Sequence, residues 1–456
     1  MKIIVSGCGK IGTMIIASLV AEGHNLVAID RNPSVVTDIT NVYDVMGLCG
    51  NSVDSDILIE AGISEAELFI AVTGSDEFNL LSCFIAKKLG APHTVARISN
   101  PEYNDKSLNF LRQHFELSMT INPERLAAHE IYNILKFPSA VKIETFSRRN
   151  LEMSEIKLKV DSVLDGMTLI ELREKYKSKV LVCCVQRGDE VYIPSGNFVL
   201  RSGDRLGLTA THAEFHKLFK GLGILQKQAK NVMILGGSKI SYYLAERLLS
   251  IGNDVKIIDM DEKNCEMLCE NLPKAVVVRG DGAEQEVLLE EGLNNVDAFV
   301  SLTGMDEENI LISIFASTQN VPKVIAKVNR DELMSMAEKL GLESIISPKK
   351  IVADVLISYA RALQNSRGSN IETLYKLMDG KAEALEFNVR DDARLVNIPL
   401  KDLKIKKNIL IGGIIRDRKI VIPAGLDVLL PRDKVIIIAA NHRLQDLSDI
   451  IVQDEQ

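Results

Sequence analysis

The chain states one pattern twice, and that duplication restricts its fold more than any other feature. A strand-like run, Met1-Lys2-Ile3-Ile4-Val5, enters Gly7-Cys8-Gly9-Lys10-Ile11-Gly12. A second run, Val232-Met233-Ile234-Leu235, enters Gly236-Gly237-Ser238-Lys239-Ile240-Ser241. Gly7 and Gly236 lie 229 positions apart, Thr73-Gly74 and Thr303-Gly304 lie 230 apart, and Pro194 and Pro423 lie 229 apart. Length alone, at roughly 150 residues per domain, suggests three domains. The repeat overrides that prior, because each half divides again and the pieces must match in pairs. Four domains are expected, at 1–139, 140–226, 230–368 and 370–456.

Within each half the hydrophobic pattern changes character. Ile3–Val5, Leu26–Ile29, Leu68–Val72 and Thr94–Ile98 are short, β-branched and almost continuously apolar, as strands covered on both faces are. Amphipathic helical patterns, such as Thr13–Glu22 and Asn79–Leu89, alternate with them. Alternating β and α units predict a parallel, doubly wound sheet of the Rossmann type. Asn122-Pro123 and Ser347-Pro348 then place an N-cap residue before proline, predicting linker helices over Glu124–Leu135 and Lys349–Leu363. A small α+β lobe follows each. In the first, a helix-like Thr168–Tyr176 opens the lobe and strands Val180–Gln186 and Arg205–Thr209 follow. The fold class is therefore α/β: two Rossmann-like parallel sheets, each with a linker helix and a small α+β lobe, in tandem duplication.

Composition removes several functions. A net charge of −8 disfavours a surface that tracks phosphate backbones, so no nucleic-acid partner is expected. No run reaches the eighteen or so apolar residues of a spanning helix. The first residues read as a core strand and not as a signal peptide, so the chain is expected in the cytoplasm. Seven cysteines, an odd number without Cys-x-x-Cys, predict buried free thiols in a reducing compartment. Cys183 and Cys184 are expected to point to opposite sides of their strand.

The glycine turn carries the chemistry. It follows a strand, opens a helix, and has an acid, Asp30, 18 residues beyond Gly12. Gly7 allows the tight turn, Gly9 lets the backbone approach a pyrophosphate, and Gly12 lets helix and strand pack closely. The helix N-terminus offers free amides and partial positive charge to phosphate. Asp30 would accept from ribose hydroxyls, favouring NAD(H) or an adenosine nucleotide over NADP, although Arg31 beside it weakens the exclusion. In the second half Ser238 and Ser241 replace two glycines, while Asp259 and Asp261 remain for ribose. A weaker or altered ligand, such as a mononucleotide, or an empty structural site is expected there. Gly50-Asn51 pairs with Gly280-Asp281, near where an adenine would lie. Thr73-Gly74-x-Asp76-Glu77-x-Asn79 pairs with Thr303-Gly304-x-Asp306-Glu307-x-Asn309 in the crevice loops, with Asp76 and Asp306 also placed to cap the next helix. Arg97 and Lys327 end the fifth strands and suit phosphate, and Lys10 and Lys239 suit a terminal phosphate.

The GCGKIG turn, Asp30, the TGSDEFN segment and the Ile-Pro-x-Gly lobes, all in tandem over essentially the whole chain, resemble the TrkA family. Its members are cytosolic regulatory subunits of Trk-type potassium uptake systems. The resemblance implies rings of eight nucleotide-binding domains, which four copies of a tandem chain would complete, beneath an integral membrane potassium translocator (TrkH-like). It places the protein on the inner face of the plasma membrane through that partner. It also implies that NAD(H), ATP or ADP changes the angle between paired domains and so gates the pore. By motif, Gly7, Gly9, Gly12 and Asp30 would bind nucleotide, Lys10 would meet phosphate and Asn51 would sit near the adenine. In some relatives the carboxyl lobe binds a cyclic dinucleotide, for which no decisive motif is present.

The candidate cofactor-binding set is Gly7, Cys8, Gly9, Lys10, Ile11, Gly12, Asp30, Arg31, Asn51, Thr73 and Arg97 in the first half. In the second it is Gly236, Ser238, Lys239, Ile240, Asp259, Asp281 and Thr303. NAD(H) is the expected ligand of the first site, with ATP, ADP or another adenine nucleotide at either. Neither a catalytic residue nor a metal ligand is predicted: none of the seven histidines has a catalytic context, and His212-x-x-x-His216 lacks a third ligand. A duplicated cofactor fold with no reaction centre reads as a sensor and not an enzyme. The alternatives are an NAD-dependent oxidoreductase and the regulatory module of another cation channel or exchanger.

Overall fold

The structure, a computed structural model, describes residues 1–103, 105–146, 151–365, 371–391, 395–417, 419–442, 444 and 446–452. The first half lays down β1 (Lys2–Ser6), α1 (Lys10–Ala21), β2 (Asn25–Asp30), α2 (Pro33–Val42), β3 (Met46–Cys49), α3 (Ser55–Glu60), β4 (Leu68–Ala71), α4 (Asp76–Lys88), β5 (His93–Arg97), α5 (Asp105–His114), β6 (Met119–Ile121) and α6 (Pro123–Lys136). Its lobe contains β7 (Lys142–Phe146), β8 (Leu151–Lys157), α7 (Leu169–Tyr176), β9 (Leu181–Arg187), β10 (Glu190–Tyr192), β11 (Arg205–Thr211) and α8 (His212–Leu222). The second half repeats the scheme with β12 (Asn231–Leu235), α9 (Lys239–Ser250), β13 (Asp254–Asp259), α10 (Glu262–Asn271), β14 (Val276–Arg279), α11 (Gln285–Glu290), β15 (Ala298–Ser301), α12 (Asp306–Thr318), β16 (Lys323–Lys327), α13 (Asp331–Lys339), β17 (Ser344–Ile346) and α14 (Pro348–Asn365). Its lobe has β18 (Ile371–Leu377), β19 (Ala382–Asn388), β20 (Ile409–Arg416), β21 (Lys419–Val421) and β22 (Lys434–Ala440).

Two compact units emerge, and they regroup the four domains. Unit 1 joins the two Rossmann-like sheets, Met1–Tyr132 with Lys230–Ala360, and unit 2 joins the two lobes, Asn133–Ala229 with Arg361–Gln456. The predicted boundary between 368 and 370 lies outside the described residues. Among the described residues, no helix is long and apolar enough to cross a membrane.

Both sheets of unit 1 are parallel, ordered β3-β2-β1-β4-β5-β6 and β14-β13-β12-β15-β16-β17. Burial on both faces explains the near-continuous apolar runs: Ile3, Ile4, Leu68, Phe69 and Ile70 are fully buried. The order reverses at β1, which opens a crevice between β1 and β4 above their carboxyl ends. Helices α1 and α4 start at Lys10 and Asp76, three residues before the amphipathic patterns Thr13–Glu22 and Asn79–Leu89 begin. The first turns, Lys10-Ile11-Gly12 and Asp76-Glu77-Phe78, mix polar and apolar residues, so hydrophobic periodicity does not mark them.

In unit 2 the lobes depart from expectation at their start. The first lobe opens on the hairpin β7–β8 and not on a helix, and α7 comes third. Helix α7 has a full capping box: Thr168 Oγ1 accepts from the Glu171 amide and Glu171 accepts from the Thr168 amide at 2.8 Å. In the second lobe that helix is replaced by a short 3-10 turn, Leu400–Asp402. Asn397, at the position of Thr168, stands in left-handed backbone (φ 61°) and not in the extended conformation an N-cap takes.

The two lobes share one core. Leu151, Met153, Cys183 and Cys184 pack with Leu377, Met378, Ala384, Ile436 and Ile438. Cys183 and Cys184 thus join the same cluster, contrary to simple strand alternation. The β9–β11 register slips at Gly207/Leu208, leaving Cys183 as the extra residue of a bulge. Gly412 is the bulged residue of β20, 229 positions on, and its carbonyl accepts from Thr209 Oγ1 at 2.8 Å. Of the seven thiols, five are buried as expected, while Cys49 and Cys269 are exposed.

Candidate functional site

The site begins where β1 ends. Gly7 takes φ +92°, and a Cβ there would lie 2.8 Å from the Thr73 amide nitrogen. At Gly12 a Cβ would fall 1.9 Å from the Gly7 carbonyl oxygen, so only glycine lets α1 start this close to the turn. Gly9 is different. It has ordinary extended backbone, and a Cβ would meet nothing within 4 Å. It is the N-cap of α1 yet supplies no side-chain cap, leaving the first amides of the helix unclaimed by side chains. Asp30 closes the turn from β2: Oδ2 accepts from the Cys8 amide at 2.7 Å and Oδ1 from the Asn32 amide at 2.9 Å. A carboxylate has about four lone-pair sites, so capacity remains for a ligand hydroxyl.

Above this turn opens a cavity of about 670 Å³, within the size range of nucleotide pockets. Both halves of unit 1 wall it. The first half supplies Gly7, Gly9, Lys10, Ile11, Asp30, Arg31, Gly50, Ser52, Thr73, Phe78, Arg97 and Glu124, and the second supplies Ile240, Lys327, Asn329, Pro348 and Lys349. Five cationic side chains (Lys10, Arg31, Arg97, Lys327, Lys349) face two acids, Asp30 and Glu124. Arg97 Nη2 pairs with Glu124 at 3.0 Å, while the buried Arg97 Nε and Glu124 Oε2 make no hydrogen bond among the described residues. Burial pushes the Lys327 ammonium below the usual lysine range; Asp306 pulls it back up and Lys10 adds to the lowering. That excess of positive charge suits an anion.

The duplicated Thr-Gly-x-Asp-Glu-x-Asn segment is the brace that aims these side chains. Asn79 Oδ1 accepts from the Thr73 amide at 2.8 Å and its Nδ2 donates to the Arg97 carbonyl at 3.0 Å. Asn309 does the same for Thr303 and Lys327, both at 2.9 Å. Asp76 does not cap its helix as predicted. Ser75 is the N-cap, and Asp76 turns back to accept from the amides of Ser99 and Asn100 at 2.8 and 2.7 Å. Asp306 likewise holds Asn329 and Arg330 at 2.9 and 3.0 Å. In both halves the helix is tied to the loop after the fifth strand. Asn122 accepts from the Arg125 amide as a cap should, whereas the buried Ser347 hydroxyl makes no hydrogen bond among the described residues.

Several predicted residues lie elsewhere. Cys8 sits under the turn, its thiol directed to the Ile29 carbonyl and pushed up to about 12 by burial and then by Asp30. Gly12 packs below the cavity, and the Asn51 side chain accepts from the Val53 amide, leaving Gly50 and Ser52 to line the wall. Of the second-half candidates, Ile240 lines this cavity, from the second half's side. Gly236, Ser238, Asp259 and Thr303 gather around the β12 turn instead. There Ser238 caps α9 through the Ser241 amide at 3.4 Å, Ser241 donates to the Gly236 carbonyl, and Asp259 accepts from Gly237. Asp281 accepts from the Ala283 amide at 2.9 Å, and Lys239 reaches Ser99 of the first half at 3.4 Å. Phe78, Glu124 and Lys349 were not predicted. Phe78 lay inside a quoted motif, and the other two follow the capped prolines.

Comparison with known proteins bears on the family and the fold. The TrkA-N domain model matches residues 3–113 and 232–348, and the TrkA-C domain model matches 153–223 and 384–452. The chain is 31% identical over 451 residues to the Trk system potassium uptake protein TrkA homolog of Archaeoglobus fulgidus, covering 99% of this chain and 100% of that one. It is 28% identical to the Trk system potassium uptake protein TrkA of Haemophilus influenzae, covering 98% and 96%. Among solved structures, the GsuK RCK domain superposes with TM-score 0.63 at 18% identity, covering 96% of this chain and 92% of that one. The GsuK channel bound to NAD gives 0.62 at 17%, covering 96% and 77%.

Proposed function

The chain belongs to the TrkA family, and on that premise we propose that it is a nucleotide-binding regulatory subunit of a potassium uptake system, reading NAD(H) or an adenine nucleotide at its first glycine turn and converting none of it. The observation that carries this reading is the cavity walled by both halves of unit 1. Asp30 would hold the ribose, the open α1 amides the pyrophosphate, and Lys10, Arg97, Lys327 and Lys349 the remaining phosphate charge. An anion held by Lys10 on one half and Lys327 and Lys349 on the other binds best when the halves stand at one spacing. It shifts a conformational equilibrium by that difference in affinity. The relatives' names supply the process, potassium uptake, and the partner is then an integral membrane translocator of TrkH-like kind. Four chains in a ring of eight nucleotide-binding domains, attached to the inner face of the membrane through that partner, complete the proposal. NAD(H) is favoured at the first site.

Reconstitution with a candidate translocator in liposomes tests the reading. Potassium flux should change with NADH, NAD, ATP or ADP, the nicotinamide absorbance should stay constant, and Asp30→Ala should abolish the response. Turnover of NADH, or an unaltered response in Asp30→Ala, would refute it.

A further inference from the structure

We propose that Phe78, with Arg31 stacked on it, forms the wall that recognises the adenine base, and that the second half has no such wall. This rests on the reading of the cavity as a nucleotide site. Arg31 follows the ribose-binding candidate Asp30 at the end of β2, and Phe78 lies in the first turn of α4. The two elements flank β1 on opposite sides, since β1 is bonded to β2 and to β4, the strand that precedes α4. The Arg31 guanidinium nevertheless lies 4.2 Å from the centre of the Phe78 ring, so the pair spans the crevice at its ribose end. Both residues line the cavity. A ribose held at Asp30 with its phosphates over α1 directs its base away from the helix, toward this pair. A planar cation and an aromatic ring both offer faces on which a purine stacks.

The repeat provides an internal control. Through the duplicated motif, Glu308 stands at the position of Phe78 and Met260 at that of Arg31. Glu308 accepts from Thr303 Oγ1 at 3.2 Å, and Met260 is exposed. A carboxylate and a thioether present no aromatic face, and the carboxylate repels phosphate. Base recognition is thus confined to the first half.

Calorimetry on the full chain with ADP, together with displacement of ADP by inorganic pyrophosphate, tests this. Phe78→Leu should weaken ADP roughly tenfold or more, the usual loss for a deleted base–aromatic stack. It should leave pyrophosphate affinity unchanged, and Phe78→Tyr should bind ADP as the parent does. Equal ADP affinity in Phe78→Leu and parent, or a parallel loss for pyrophosphate, would overturn the assignment while the nucleotide site itself stands. A parent that binds neither ADP nor NADH ends the underlying reading as well.

Discussion

Lys327 shows how one residue's charge depends on what surrounds it. It ends β16, donates to the Thr303 carbonyl, and lines the cavity with Lys349 of its own half and Lys10 of the first, with Asp306 nearby. Burial holds its folded pKa below the ordinary lysine value. The cost of burying that cation is full below the folded pKa and disappears as pH rises past the unfolded value. A bound phosphate stabilises the protonated form, so affinity is greatest while Lys327 is charged and declines as pH rises through its depressed pKa. Nucleotide affinity should therefore fall at alkaline pH, beginning below the range of a free lysine. Lys327→Arg, which stays charged, should flatten the decline in calorimetric titrations between neutral and alkaline pH. A decline that is the same in both proteins would assign it to another group.

At the scale of the element, the two glycine turns differ by what occupies the helix N-terminus. Helix α9 is capped by Ser238, whose hydroxyl also lies 3.0 Å from that of Ser241, whereas α1 begins at an uncapped glycine. The two N-cap backbones are nearly the same, φ −69° at Gly9 and φ −75° at Ser238, so Gly9→Ser is sterically compatible. Serine in place of glycine at an N-cap is worth a few tenths of a kcal/mol. Gly9→Ser should slightly raise the melting temperature of the free protein, yet weaken nucleotide binding by covering the amides that meet phosphate. Opposite signs in thermal melts and calorimetry would identify α1 as the anion-binding helix. Unchanged nucleotide affinity would show that it is not.

For the whole molecule, pairing of like with like replaces the chain order: sheet joins sheet in unit 1 and lobe joins lobe in unit 2. A buried acid ties one lobe to the other. Glu155, 2% exposed, is ion-paired with Arg205 at 2.6 Å within its own lobe and accepts from the Met378 amide of the other lobe at 3.1 Å. Its counterpart Glu386, fully buried, pairs with Lys434 at 3.2 Å. Removing one partner of a buried pair strands the other, at a cost of about 3 kcal/mol or more. Glu155→Ala should lower stability in urea denaturation by about that amount. Glu155→Gln, which keeps an acceptor for Met378, should lose less. Equal losses would mean that the amide contact adds nothing.

The duplication, the parallel α/β sheets, the glycine turn and the acid at Asp30 follow from the sequence alone, because each depends on local periodicity or on backbone freedom at named positions. The linker helices were legible for the same reason, from a capping residue before proline. The second half's contribution of Lys327 and Lys349 to the first half's cavity was not, since charge pattern does not reveal which surfaces meet. Nor was the shared side of Cys183 and Cys184, because a bulge is set by pairing with β11 and not by the strand's own residues. The glycine-to-serine changes that separate the two turns were written in the sequence; tertiary structure decided what they do, since the bonds from the Ser241 amide to Ser238 and from the Ser241 hydroxyl to the Gly236 carbonyl depend on how the folded turn packs on its helix.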